Sequence, residues 1–225
     1  VPELLERVGE KKLAFEGFHL FAGSQNLKPE SICEAQQKSY NLALTLSRHA
    51  PSPVRFLNLG GGFGIPYFPG EKHLDLAPIG DNLKQLSHRA KTDFPNASLV
   101  IELGRYLVGE AGIYVSRIVD RKISRGQTLL VVDGGLNHHL SASGNFGQVI
   151  RKNYPVTIGN HVNADQTEIA SVVGPLCTPL DILADRMTLA VSVPGDLVVV
   201  FQSGAYGASA SPQRFLGHPE VIEVL

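Results

Sequence analysis

Three consecutive glycines, Gly60, Gly61 and Gly62, follow directly on the apolar run 54–59 and constrain this chain more than any other stretch. Glycines carry no side chain to block a ligand and reach backbone angles that other residues avoid. Their N–H groups can converge on an anion. An apolar strand that ends in such a nest reads as a phosphate cradle at the C-terminal mouth of an α/β sheet or barrel. The same residues also describe a tight strand-to-helix turn with no ligand. Both readings stay open on this stretch alone.

The pattern around the glycines sets the fold class. Residues 2–8 read as the end of an amphipathic helix, with Leu4, Leu5 and Val8 on one face. A strand over 13–20 and a loop over 23–26 follow. A helix is expected over 29–49, with Pro29 near its start and Ile32, Ala35, Leu42, Ala43 and Leu46 on one face. After the 54–59 strand, residues 63–78 read as a surface loop rich in Gly and Pro, 79–91 as a helix and 98–102 as a strand. This alternation predicts a parallel α/β unit. Beyond residue 110 the texture changes. The segments 111–119, 128–132, 155–158, 168–173, 188–191 and 197–202 are short, rich in Val, Ile and Leu, and separated by turn residues. They predict an antiparallel β domain, so residues 1–112 form an α/β part and 113–225 a β part. Three or so β/α units cannot close an eight-stranded barrel, and an open parallel edge is a liability. With no initiator Met, the expectation is that earlier strands lie in sequence upstream.

Composition narrows the function classes. A formal charge of −1 argues against a basic nucleic-acid surface. The apolar runs are short and interrupted, so no membrane span is expected, and the N-terminus reads as neither signal nor transit peptide. Charged residues, at 18%, fall below the usual share and point to surface covered by a partner. Cys33 and Cys177 lie far apart, which predicts no disulfide or zinc site and a cytoplasmic setting.

Five further stretches accompany the glycines: Gly23-Ser24-Gln25, Glu102-Leu103-Gly104-Arg105, Asp133-Gly134-Gly135, Gly174-Pro175-Leu176-Cys177 and Ser203-Gly204-Ala205-Tyr206-Gly207. In order and spacing they resemble the fold-type III pyridoxal-phosphate (PLP) decarboxylases that act on diaminopimelate, ornithine or arginine. The likeness covers essentially the whole chain and is greatest to the exosortase-system-associated branch. It implies the C-terminal part of a PLP-binding, alanine racemase-like (β/α)8 barrel followed by an antiparallel β domain. It also implies a homodimer with active sites shared across the interface.

The resemblance assigns roles by position. Gly60, Gly61 and Gly62 match the family's phosphate-binding turn, and Ser24 a hydroxyl on the same phosphate; Ser24 is equally readable as a turn or capping serine. Glu102 matches the carboxylate facing the pyridine nitrogen. A carboxylate there favours the protonated ring, a stronger electron sink. A strand-end pair with Arg105 is also open to it. Leu103 stands where the family has Pro, ahead of Gly104. Arg105 and Tyr206 match phosphate contacts, although a tyrosine in a β domain also serves packing. Cys177 matches the cysteine that reaches the partner's site and returns a proton to the carbon that lost CO2. A thiol suits that task near neutral pH. Cys33 reads as core.

The chain departs from the family in three places. Phe21 stands where a histidine stacks on the PLP ring; it can stack but cannot donate a hydrogen bond. His19 lies two residues earlier on the same strand face and reads as a packed histidine. Thr178 stands where Glu or Asp binds the substrate's distal amine, and threonine cannot neutralise an ammonium. Asp133 aligns with a second acidic substrate contact, or is a turn aspartate. His138 and His139 lack a third metal ligand at a recognisable spacing and read as pocket rim or surface. The Schiff-base lysine motif is absent: Lys11, Lys12, Lys28 and Lys38 read as solvent-facing. The expected activity, decarboxylation of a free or carrier-bound amino acid, therefore refers to a full-length parent. The alternatives are an amino-acid racemase of the same architecture, a non-catalytic homologue that binds a protein partner, and a PLP-independent phosphate-binding barrel.

Overall fold

The structure, a computed structural model, describes residues 1–146, 148 and 150–225. Two compact units emerge, one of residues 1–66 with 72–106, the other of 67–71 with 107–225.

The first unit is a three-stranded parallel sheet with helices. Helix α1 (Pro2–Glu10) precedes β1 (Gly17–His19), α2 (Pro29–Leu46), β2 (Phe56–Asn58), α3 (Ala77–Asp93) and β3 (Ser98–Val100). The sheet order is β1-β2-β3, with Phe18 beside Leu57 and Leu57 beside Leu99. Leu57 on the central strand is fully buried among Tyr40, Ala43, Leu86 and Phe94. Helix α2 buries Ile32 and Ala43 of the face its apolar residues predict, but the buried face extends toward polar residues and away from Leu42. Ile32, Gln36, Ser39, Tyr40 and Ala43 are buried, whereas Leu42 is exposed. The reason is a polar pair: Asn82 Nδ2 of α3 donates to Gln36 Oε1 at 2.8 Å, so an amide sits where hydrophobicity alone would put a leucine. The stretch 63–78 also differs from the surface loop expected of it. Phe63, Ile65, Tyr67 and Leu74 are all buried. Phe63 and Leu74 form a second cluster with Ile32 and Ile79.

A short helix, α4 (Gly104–Val108), leads into the second unit. This unit is a six-stranded sheet of β4 (Tyr114–Ser124), β5 (Gln127–Val132), β6 (Val156–Ile158), β7 (Thr167–Val173), β8 (Ile182–Ala190) and β9 (Leu197–Val200). The order is β6-β9-β4-β5-β7-β8. Arg125 (φ 52) and Gly126 (φ 76) both take left-handed angles, as a two-residue turn between right-twisted strands requires. That turn carries β4 five residues past the expected end at 119. The outermost strands nearly close the sheet. Just before β6, Asn153 exchanges two hydrogen bonds with the backbone of Asp185 of β8: Asn153 Nδ2 donates to Asp185 O at 2.7 Å, and Asp185 N donates to Asn153 Oδ1 at 2.9 Å.

The sheet is mixed, which corrects the antiparallel expectation: β5 and β7 pair in parallel, Leu130 beside Val172. The long connection 133–166 carries the chain through β6 on the far edge, and it re-enters beside β5 running the same way. Alternating apolar residues specify a strand's faces but not its direction.

Truncating Leu57 to Ala leaves a cavity under the central parallel strand and is expected to cost about 2–5 kcal/mol. Chemical denaturation of the variant would read it; a loss below about 1 kcal/mol would contradict the central packing role.

Candidate functional site

In the first unit the site is built where the three parallel strands end. Leu20 N donates to Asn58 O and Leu59 N to Val100 O, at 3.0 and 2.9 Å, so the loops leave the sheet side by side. The glycine run fills the space between them. A methyl group on Gly60 would overlap Leu20 O, on Gly61 it would overlap Glu102 O, and on Gly62 it would overlap Gly23 O. Gly60 (φ 76) and Gly62 (φ 85) also hold left-handed angles. The Gly60 amide is taken by Asn58 Oδ1 at 2.8 Å, whereas the N–H groups of Gly61 and Gly62 meet no protein acceptor among the described residues.

The 23–26 loop is locked against this bend. Asn26 N donates to Gly62 O at 2.8 Å. The Gln25 amide grips Ile65 at two points, Nε2 to O at 2.5 Å and Oε1 from N at 3.2 Å. Ser24 is thereby set beside Gly62. Glu102, just beyond β3, completes the edge. Its Oε1 accepts from Asn58 Nδ2 at 2.8 Å and lies 3.4 Å from His19 Nε2. Asn58 is buried, while Glu102 and His19 are about half-exposed. Phe21 presents its ring to solvent at 71% exposure. Leu103 turns inward onto the Phe63 cluster, and Gly104 and Arg105 open α4.

In the second unit, the parallel neighbours β5 and β7 finish at the same end of the sheet. The Asp133 and Cys177 loops therefore emerge together. Asp133 Oδ1 accepts from Ser116 Oγ at 2.7 Å and from Arg117 N at 2.8 Å. Cys177 is exposed at its loop tip, above buried Leu176. Thr178 Oγ1 accepts from Leu180 N at 3.3 Å.

The two histidines are structural. His138 Nε2 donates to Pro219 O at 2.7 Å, which leaves Nδ1 to accept from Tyr114 Oη at 3.1 Å. His139 is 1% exposed; its Nδ1 accepts from Ala142 N at 3.3 Å and its Nε2 lies 2.9 Å from Ser203 Oγ. Because Ser203 Oγ donates to Val200 O, it receives the Nε2 proton of a neutral ring. Burial pushes the His139 pKa down from 6.5 to about 4. The segment it anchors carries Tyr206, at a left-handed φ of 57, whose carbonyl accepts from Ser141 Oγ at 3.0 Å.

Residues 25–204 match the family model for the C-terminal sheet domain of pyridoxal-dependent decarboxylases. This chain belongs to that family. An L-glutamyl-[BtrI acyl-carrier protein] decarboxylase of Niallia circulans is 40% identical over 215 residues, covering 94% of this chain and 50% of the relative. A diaminopimelate decarboxylase of Thermoplasma acidophilum is 31% identical, covering 93% of this chain and 48% of the relative. The crystal structure of Helicobacter pylori diaminopimelate decarboxylase, complexed with L-lysine, aligns at a TM-score of 0.73 with 26% identity, over 94% of this chain and 50% of that one. The chain thus spans about half the length of the curated relatives it matches.

The family's cofactor is pyridoxal phosphate, and the residues present fit its two polar ends. The bend around Gly61 and Gly62 offers N–H groups and no side chain, as a phosphoryl group needs. At the next strand end, Glu102 offers a carboxylate that Asn58 holds in place. Asn58 had no role in the sequence reading, although a polar residue alternating into an apolar strand just before the glycines was a usable signal.

A neutral His139 in the fold makes stability pH-dependent. Above pH 6.5 its contribution is complete; as pH falls from about 6.5 to about 4 the unfolded chain binds a proton that the fold refuses. The protein should lose on the order of 2–3 kcal/mol over that range in excess of the His139→Gln variant. Denaturant titrations at several pH values test this; parallel pH profiles would refute it.

Proposed function

We propose that this chain is the C-terminal part of a PLP-dependent amino-acid decarboxylase. In this reading residues 1–112 supply the last units of a (β/α)8 barrel and 113–225 its sheet domain. The enzyme is a cytoplasmic homodimer in which Cys177 of one subunit reaches the site of the other. The observation that carries the proposal is the close-packed glycine bend, with the Gly61 and Gly62 amides open and Glu102 at the neighbouring strand end. β1 is an edge strand of the first unit's sheet, a position at which further strands of such a barrel would pair. No helix among the described residues is long and apolar enough to cross a membrane.

Bound pyridoxal phosphate supplies the electron sink for the charge left when CO2 departs. The chain's own residues do the rest. Gly61, Gly62, Ser24 and Arg105 bind the phosphoryl group. Phe21 offers its ring face for stacking. Glu102, oriented by Asn58, keeps a proton on the heterocyclic nitrogen. Cys177 Sγ donates a proton to the substrate carbon that lost its carboxylate.

A substrate without a free distal amine suits this site best, because Thr178 has no charge to meet one, which leaves Asp133, held at Oδ1 by Ser116 and Arg117, as the sole acidic substrate contact among the candidate residues. A carrier-bound aminoacyl group satisfies that condition. The 40% identical relative from Niallia circulans is named for action on an L-glutamyl acyl-carrier protein.

The test is CO2 release by the full-length protein with pyridoxal phosphate, using free amino acids and a glutamyl carrier-protein conjugate. Cys177→Ala should lower turnover about 100-fold or more while cofactor absorbance persists. Unchanged product formation in the variant would remove Cys177 from the reaction, and no CO2 from any substrate would defeat the proposal.

A further inference from the structure

The two loops of the second unit share a carboxylate. Asp181 follows the Cys177 loop and immediately precedes β8, which pairs antiparallel with β7, so it returns to the sheet end where Gly174 leaves; Gly174 N donates to Asp181 O at 3.0 Å. Its side chain then reaches past the end of β7 to the end of β5. Oδ1 accepts from Leu136 N at 2.6 Å and Oδ2 from Leu176 N at 2.9 Å. Asp181 is 2% exposed, so a pair of backbone N–H groups replaces water around the charge. Two glycines make room for it. A methyl group on Gly135 or on Gly174 would overlap the Asp181 carboxylate.

We infer that Asp181 is a positioning residue that fixes the Cys177 loop against the Asp133 loop. Each oxygen holds one loop, and one carboxylate plane sets the distance between them. Leu176 is the residue before Cys177, so the bond at Leu176 N fixes where the thiol stands. Leu136 lies three residues beyond Asp133, on the loop that Ser116 anchors from the other side. The second glycine of Asp-Gly-Gly, Gly135, and the glycine of Gly-Pro-Leu-Cys, Gly174, are therefore required by Asp181. The consequence for turnover rests on the decarboxylase reading; the clamp itself does not.

Asp181→Asn keeps the shape but replaces one acceptor oxygen with a donor, so one loop loses its partner. In the full-length protein, hydrogen-exchange mass spectrometry should show peptides over 133–137 and 174–178 exchanging about tenfold faster or more. A peptide over 197–200 should not change. In the same variant kcat should fall at least about tenfold, with KM and cofactor affinity little altered. Should Asp181→Asn fail to fold, Gly135→Ala decides, since it presses on the same carboxylate from the β5 side and leaves its charge intact. Unchanged exchange in both loops, or an equal acceleration everywhere, overturns the inference. If the loops respond selectively but the wild-type protein releases no CO2, the decarboxylase reading fails and the clamp stands.

Discussion

The first unit depends on backbone packed against backbone. At Gly60, Gly61 and Gly62 the chain passes so close to Leu20 O, Glu102 O and Gly23 O that no side chain fits at any of the three positions. Close approach of this kind is what glycine permits and other residues forbid. It draws the ends of three parallel strands into one edge, and it leaves the Gly61 and Gly62 N–H groups without a protein acceptor among the described residues. The polar supports follow from the same contact. Asn58 holds the Gly60 amide with one side-chain atom and Glu102 with the other, so one buried amide registers the bend against the carboxylate.

The second unit solves a similar problem differently. The loops that carry Asp133 and Cys177 lie on neighbouring strands because β5 and β7 run in parallel, and a buried carboxylate joins them where the glycines leave space. Buried polar groups earn their place only when fully hydrogen-bonded. Asp181 and His139 meet that condition with backbone or serine partners, and each ties down a loop that carries a candidate site residue. The family's motifs, read this way, are loops together with their anchors.

Much of this was legible in the sequence. The strand-then-glycine signal at 54–62, the change of texture near residue 110 and the ordered motifs all depend on local residue type, which sequence displays directly. What escaped depended on partners distant in the chain. Gln36 was not among the residues expected on the inner face of its helix, and it is buried because Asn82 meets it across the helix pair. The 63–78 stretch looked like a loop because its glycines and prolines break periodicity, yet its aromatic and aliphatic residues plug the core. Strand direction at β5 and β7 is set by a long connection that alternation cannot report. Asn58 and Asp181 are single polar residues with no motif of their own, and their value appears only when the opposing loops are in place.

The most direct measurement is a crystal structure of the full-length protein grown with pyridoxal phosphate. The phosphoryl group should lie within about 3 Å of the Gly61 and Gly62 amides, with the heterocyclic nitrogen facing the Glu102 carboxylate. A cofactor seated elsewhere, with the glycine bend filled only by solvent, would contradict the assignment of this edge as the pyridoxal site.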